Sequence, residues 1–93
     1  MKLNNLNDKL IRIERTINIY NENNELIKEI NIDIPIKKLK NIVLPKEDDP
    51  LLYDGYVLSR EQLENINSHI KDKILPNFES NSYVLECTGI YNW

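Results

Sequence analysis

The stretch from Leu10 to Tyr20, LIRIERTINIY, limits what this chain can fold into more than any other. Ile11, Ile13, Ile17 and Ile19 fall on alternate positions, with Arg12, Glu14, Thr16 and Asn18 between them. A helix would scatter these isoleucines around its circumference, whereas a strand collects them on one face. Their β-branched side chains also suit a pleated surface. The run therefore predicts a half-buried strand, and Arg15, which interrupts the apolar face, predicts a bulge or an edge position there. Asn21-Glu22-Asn23-Asn24 supplies residues that tolerate positive φ. Leu26, Lys28, Ile30 and Ile32 then alternate with Ile27, Glu29 and Asn31, so the first third of the chain reads as a β-hairpin.

The periodicity then changes. Asp33 is positioned to cap a helix with Pro35 in its first turn, where a missing N–H costs little. Ile36, Leu39 and Val43 follow at helical spacing, and Pro45 ends the segment. Residues 45–58, PKEDDPLLYDGYVL, read as a loop with turn chemistry at Asp48-Asp49-Pro50 and Asp54-Gly55, ending in a brief extended piece at Tyr56-Val57-Leu58. Ser59 and Gln62 have the spacing of a capping box. Leu63, Ile66, Ile70 and Ile74 then predict a second helix that runs until Pro76 stops it. Residues 82–88, SYVLECT, alternate again, with Tyr83, Leu85 and Cys87 on one side.

The expected order is β-β-α-(β)-α-β, an α+β fold. The N-terminal hairpin and the C-terminal strand form a small antiparallel sheet with two helices on one face. Residues 1–93 make a single domain, with residues 1–9 expected to fray and no repeat or linker. Such a chain has room for one modest core and little for a deep, dry substrate pocket.

Composition narrows the function. Asn and Ile occur 14 times each and Lys 9 times, a bias of AT-rich coding that carries no binding signal. The single cysteine, Cys87, excludes a disulfide-stapled scaffold, and with one histidine, His69, it excludes a four-ligand zinc site of the usual kind. The opening MKLNNLNDKL lacks the apolar core of a signal peptide, and no segment approaches a membrane span, so the chain is read as cytoplasmic. His69 is expected at the margin of the second helix's apolar stripe and Cys87 on the buried side of the last strand, both structural positions. Two glycines, Gly55 and Gly89, cannot build a phosphate loop, and no nucleophile–base pair is visible. The chain is expected to be no enzyme and to use no cofactor or metal.

Charge is unevenly distributed. Residues 1–44 carry eight basic and six acidic side chains, whereas residues 45–93 carry four basic and nine acidic. The second half, at −5, repels nucleic acid and attracts basic partners. Glu47-Asp48-Asp49 with Asp54 is the densest carboxylate cluster, but Pro50 and two leucines break any calcium-loop pattern. Asp48 and Asp49 are read first as turn-forming residues that bond local backbone N–H groups.

Asp48-Asp49-Pro50, Tyr53 and Tyr56, followed by Tyr83-Val84-Leu85-Glu86-Cys87, resemble a family of small uncharacterised bacterial proteins with a D-D-P loop and a Y-x-L-E-C strand. That family in turn resembles the immunity proteins of polymorphic and contact-dependent inhibition toxins. The resemblance implies an immunity role and, as partner, the C-terminal domain of a cognate toxin. The acidic second half favours a basic one, such as a nuclease. The chain is expected to be a monomer that forms a 1:1 heterodimer with it. It would neutralise the toxin by occlusion, without binding nucleic acid or membrane. Candidate contacts are Glu47, Tyr53, Asp54, Glu61 and Glu64, with the two helix carboxylates expected opposite Leu63, Ile66 and Ile70. The alternative reading is a structural or regulatory module that self-associates through an exposed strand edge, against which Arg12 and Arg15 would act as guards on the first strand.

Overall fold

The computed structural model describes the backbone of residues 10–91 and the side chains of residues 13–89. The expected fraying of residues 1–9 and any packing of Tyr91 or Trp93 lie outside this range. Six elements follow in order: β1 (Leu10–Tyr20), β2 (Leu26–Ile32), α1 (Ile36–Ile42), β3 (Tyr56–Val57), α2 (Arg60–Asn67) and β4 (Ser82–Tyr91). The strands form one antiparallel sheet in the order β2-β1-β4-β3.

The isoleucine alternation in β1 organises this sheet. Ile17 pairs with Ile30 on β2 and Leu85 on β4, and Ile19 pairs with Lys28 and Tyr83. These residues face the helices, and the core gathers Ile17, Ile19, Tyr83 and Leu85 from the sheet with Leu39, Leu63 and Ile66 from the helices. Burying side chains such as Leu39 and Leu63, which are fully inaccessible, contributes about 1.5–3 kcal/mol each. Tyr83 brings its hydroxyl into this core and pins it by accepting a hydrogen bond from Asn77 N at 2.8 Å.

Several sequence expectations need correction. Arg15 pairs with Ile32 on β2 and with Cys87 on β4, so it marks neither an edge nor a bulge and guards no edge, whereas Arg12 lies beyond the end of β2 and pairs with β4 alone. The register shifts of β1 fall instead between Leu10 and Arg12 and between Ile19 and Tyr20. Arg15 is accommodated by donating from Nη2 to Leu51 O at 2.7 Å.

Asp33 does not cap α1. Pro35 occupies the N-cap with no side-chain bond, and its carbonyl accepts from Lys38 N and Leu39 N. Ile34 precedes a proline, which disfavours helical backbone, and it is buried in the core as part of an extended lead-in.

The capping box at Ser59 is present in full: Ser59 Oγ accepts from Gln62 N at 3.1 Å, and Gln62 Oε1 accepts from Ser59 N at 2.8 Å. Yet α2 ends at Asn67, well before Pro76. Asn65, Asn67, Ser68 and His69 are poor helix formers, and the end is closed by side chains. Lys73 Nζ donates to the carbonyls of Asn67 and Ile70, and Ser68 Oγ donates to Asn65 O at 2.6 Å. Ile70 and Ile74 therefore reach the core from a loop, and His69 is an exposed turn residue.

Candidate functional site

The five candidate contact residues come from two elements. Glu47, Tyr53 and Asp54 belong to the segment between α1 and β3, and Glu61 and Glu64 belong to α2. All five are exposed.

The loop is built around Asp49, which is buried with 6 % of its surface accessible. Its Oδ1 accepts from Tyr53 N at 2.8 Å, and its Oδ2 accepts from Asp54 N at 2.9 Å and from the Tyr56 hydroxyl at 2.6 Å. Asp49 therefore performs the expected turn chemistry, while Asp48 stays exposed. Desolvation alone would raise its carboxyl pKa, but the bonds from Tyr56, Asp54 and Tyr53, with the charge of Lys46, hold it below the usual 3.8. Tyr56 moves the other way: burial first, then its bond to the Asp49 carboxylate, raises its hydroxyl above 10.0. The Tyr56 oxygen also accepts from Lys46 N at 3.1 Å, tying both ends of the loop together.

This framework displays Glu47, Tyr53 and Asp54 while drawing Leu52 inward. Leu52 is fully buried at φ 58°, a left-handed conformation rare for a leucine. Asp54 pairs with Lys46 at 3.4 Å, so its charge is partly countered, whereas Tyr53 is 48 % exposed.

On α2 the buried residues are Leu63 and Ile66, and Glu61 and Glu64 occupy the exposed side, opposite them as expected. Arg60, the one cation of this helix, leans over the Phe78 ring at 5.0 Å from its centroid. Among the described residues, Glu47, Glu61 and Glu64 form no ion pair. No hydrogen bond or ion pair joins the loop carboxylates to those of the helix.

Two features were not anticipated. The sheet face turned away from the helices carries a polar network at its centre. Thr16 Oγ1 donates to Asn18 Oδ1 at 2.7 Å, and Asn18 Nδ2 and the Tyr20 hydroxyl both donate to Glu86 Oε2, the latter at 2.8 Å. Thr16 and Asn18 are buried in it. The alternation had marked these positions as a solvent face; only the pairing of Thr16 with Glu86 across β1 and β4 brings the carboxylate to its donors. The second feature is β2, an edge strand of seven residues with two hollows between it and residues 69–75.

Cys87 lies opposite Arg15 and is only partly buried. Burial pushes its thiol pKa up, with a smaller opposing pull from Arg15. Among the described residues no group of three or more His, Cys, Asp or Glu side chains could hold a metal ion, and no helix is long and apolar enough to cross a membrane.

Residues 14–86 match the sequence family described as a domain of unknown function, DUF7683. No curated protein and no solved structure matches the chain.

Proposed function

We propose that this chain, which belongs to the DUF7683 family of domains of unknown function, is a non-catalytic protein-binding module that acts as an immunity protein. In this reading it occludes a basic toxin domain in a 1:1 complex. The observation that carries the proposal is the set of exposed carboxylates Glu47, Glu61 and Glu64, which lack ion-pair partners among the described residues. Their backbone is held by a capped helix and a hydrogen-bonded loop, so little backbone freedom is lost on docking. Arg60 is occupied with Phe78, and Tyr53 adds an exposed aromatic of the kind that anchors interfaces. Such a surface steers a cationic partner and accelerates encounter without any chemistry.

The test is titration calorimetry against the C-terminal domain of the protein encoded immediately upstream, paired with a growth assay of that domain's toxicity. Tight 1:1 binding with loss of toxicity supports the reading. Toxicity undiminished by co-expression, with no heat of binding, sinks it for that partner.

A second reading, self-association, has β2 in its favour, because a seven-residue edge strand is open on one side. A mass that stays monomeric in sedimentation across a concentration series removes it.

A further inference from the structure

We infer that the outer edge of β2, with the groove beneath it, is a docking site for one extended segment of a partner protein, added to the sheet as an antiparallel fifth strand. The inference rests on the protein-binding reading above and names where such a partner engages the fold.

β2 pairs with β1 alone, so alternate residues along it direct backbone N–H and C=O groups outward. Leu26 and Ile27 are about half exposed, at 49 % and 53 %, and Lys28 and Glu29 are exposed beside them. On the helix side of this edge, residues 69–75 run alongside and leave two neighbouring hollows. One, of about 240 Å³, lies between Ile32 and Ile70. The other, of about 440 Å³, lies between Lys28 and Leu75, which is 87 % exposed. Ile30 and Asp72 line both, so the hollows adjoin along the strand. A strand laid beside β2 directs every second side chain to this side, and successive ones fall about 7 Å apart, so neighbouring side chains face adjoining hollows.

The charges select the occupant. Residues opposed across a sheet face the same side, so two copies of β2 in antiparallel pairing must centre on a single residue. Centring on Lys28 or Glu29 sets each against itself. Ile27 is skipped in the pairing with β1, so it bulges and centres no regular ladder, and centring on Asn31 sets Glu29 against Asp33. Like charges directly opposed destabilise a sheet. Of the centres from Lys28 to Asn31, where the strand is regular, only Ile30 escapes, and there Lys28 meets Ile32 and Glu29 meets Asn31. The edge thus discriminates against a second copy. Glu29, on the open face opposite Asn18, asks for a basic residue on the incoming strand. In the hollows Lys28, Lys71 and Lys73 stand against Asp33 and Asp72, so the charges there nearly balance, and Ile30, Ile32, Ile70 and Leu75 ask for aliphatic side chains. The occupant is an extended segment alternating basic and aliphatic residues, which matches a cationic partner.

The probe is a seven-residue peptide alternating lysine and valine, blocked at both ends, added to the 15N-labelled full chain. Binding in the edge slows hydrogen exchange of alternate β2 amides by at least about tenfold, and Glu29→Lys weakens the peptide by about tenfold while leaving the folded spectrum intact. Unchanged β2 exchange at millimolar peptide, or shifts confined to α2, overturns the inference. So does β2 protection that appears with rising protein concentration and no peptide, since the edge then belongs to a second copy. If the upstream toxin domain binds while β2 exchanges freely, the immunity reading stands and this inference falls. Protection of β2 by the peptide in a chain that binds no toxin has the opposite meaning.

Discussion

Asn67 holds Ile74 by both of its backbone polar groups: Oδ1 accepts from Ile74 N and Nδ2 donates to Ile74 O, each at 2.8 Å. The carboxamide thus pairs with Ile74 much as a neighbouring strand would. It closes the turn after α2 and seats Ile74, only 5 % exposed, in the core. Asn67→Ala leaves two partly buried groups unpaired and should cost about 2 kcal/mol, read as a lower urea midpoint. Asn67→Asp keeps the acceptor but loses the donor and should fall between. Equal stability of all three forms would remove the role assigned to this residue.

The Asp49–Tyr56 bond gives the loop before β3 a pH window. The Asp49 carboxyl pKa is depressed in the folded state, so its contribution is present above 3.8 and is lost as pH falls through the lower folded value. The Tyr56 pKa is raised, so its contribution is complete below 10.0 and is lost as pH rises through the folded value. Amide shifts of Tyr53 and Asp54 followed across pH should move at both limits. Asp49→Asn should remove the acid transition, and Tyr56→Phe the alkaline one.

Leu52 combines full burial with a φ of 58°. Leu52→Ala should destabilise by about 3 kcal/mol, because the cavity is created while the backbone strain stays. Leu52→Gly loses the same side chain but relieves about 1 kcal/mol of strain, so it should be no less stable than the alanine form. At Leu63, inside α2, the order should reverse, glycine being worse by about 1 kcal/mol. Thermal melts of the four variants decide this.

Cys87 should alkylate slowly at pH 8, because burial raises its thiol pKa and little thiolate forms. Arg15 opposes that shift, so Arg15→Gln should slow the reaction further. Faster labelling of the variant at matched stability would contradict the pairing of these two side chains across β1 and β4.

Reversing Glu61 and Glu64 to lysine should leave the fold intact, since both are exposed and unpaired among the described residues. Only a small loss is expected, from removing Glu61 from the first helical turn. Association with a basic partner should slow by about tenfold at low salt and by much less at high salt. An association rate that does not move would assign binding to another surface.

Local rules were enough wherever the chemistry of a few neighbouring residues settles the conformation. The isoleucine alternation dictates β1, since only a strand puts residues 13, 17 and 19 on one face. Ser59 and Gln62 declare the start of α2 because each satisfies the other's backbone donor within one turn. Asp49 could be read as a turn former for the same reason, as its partners lie within seven residues. Glu47, Glu61 and Glu64 were legible as surface charges, although no local rule says what meets them. The tertiary structure alone decided the rest. Periodicity cannot tell an inner strand from an edge, so the central place of β1 and the open edge of β2 emerged only with the insertion of β4. The same pairing brings Glu86 to Asn18 and Tyr20, residues more than sixty positions away. Ile70 and Ile74 keep helical spacing, yet they enter the core from a loop because Asn67 and Lys73 satisfy the backbone that a longer helix would have paired. Hydrogen-bond partners distant in sequence leave no mark on a local pattern, and in this chain they determine where helices stop and which edge stays open.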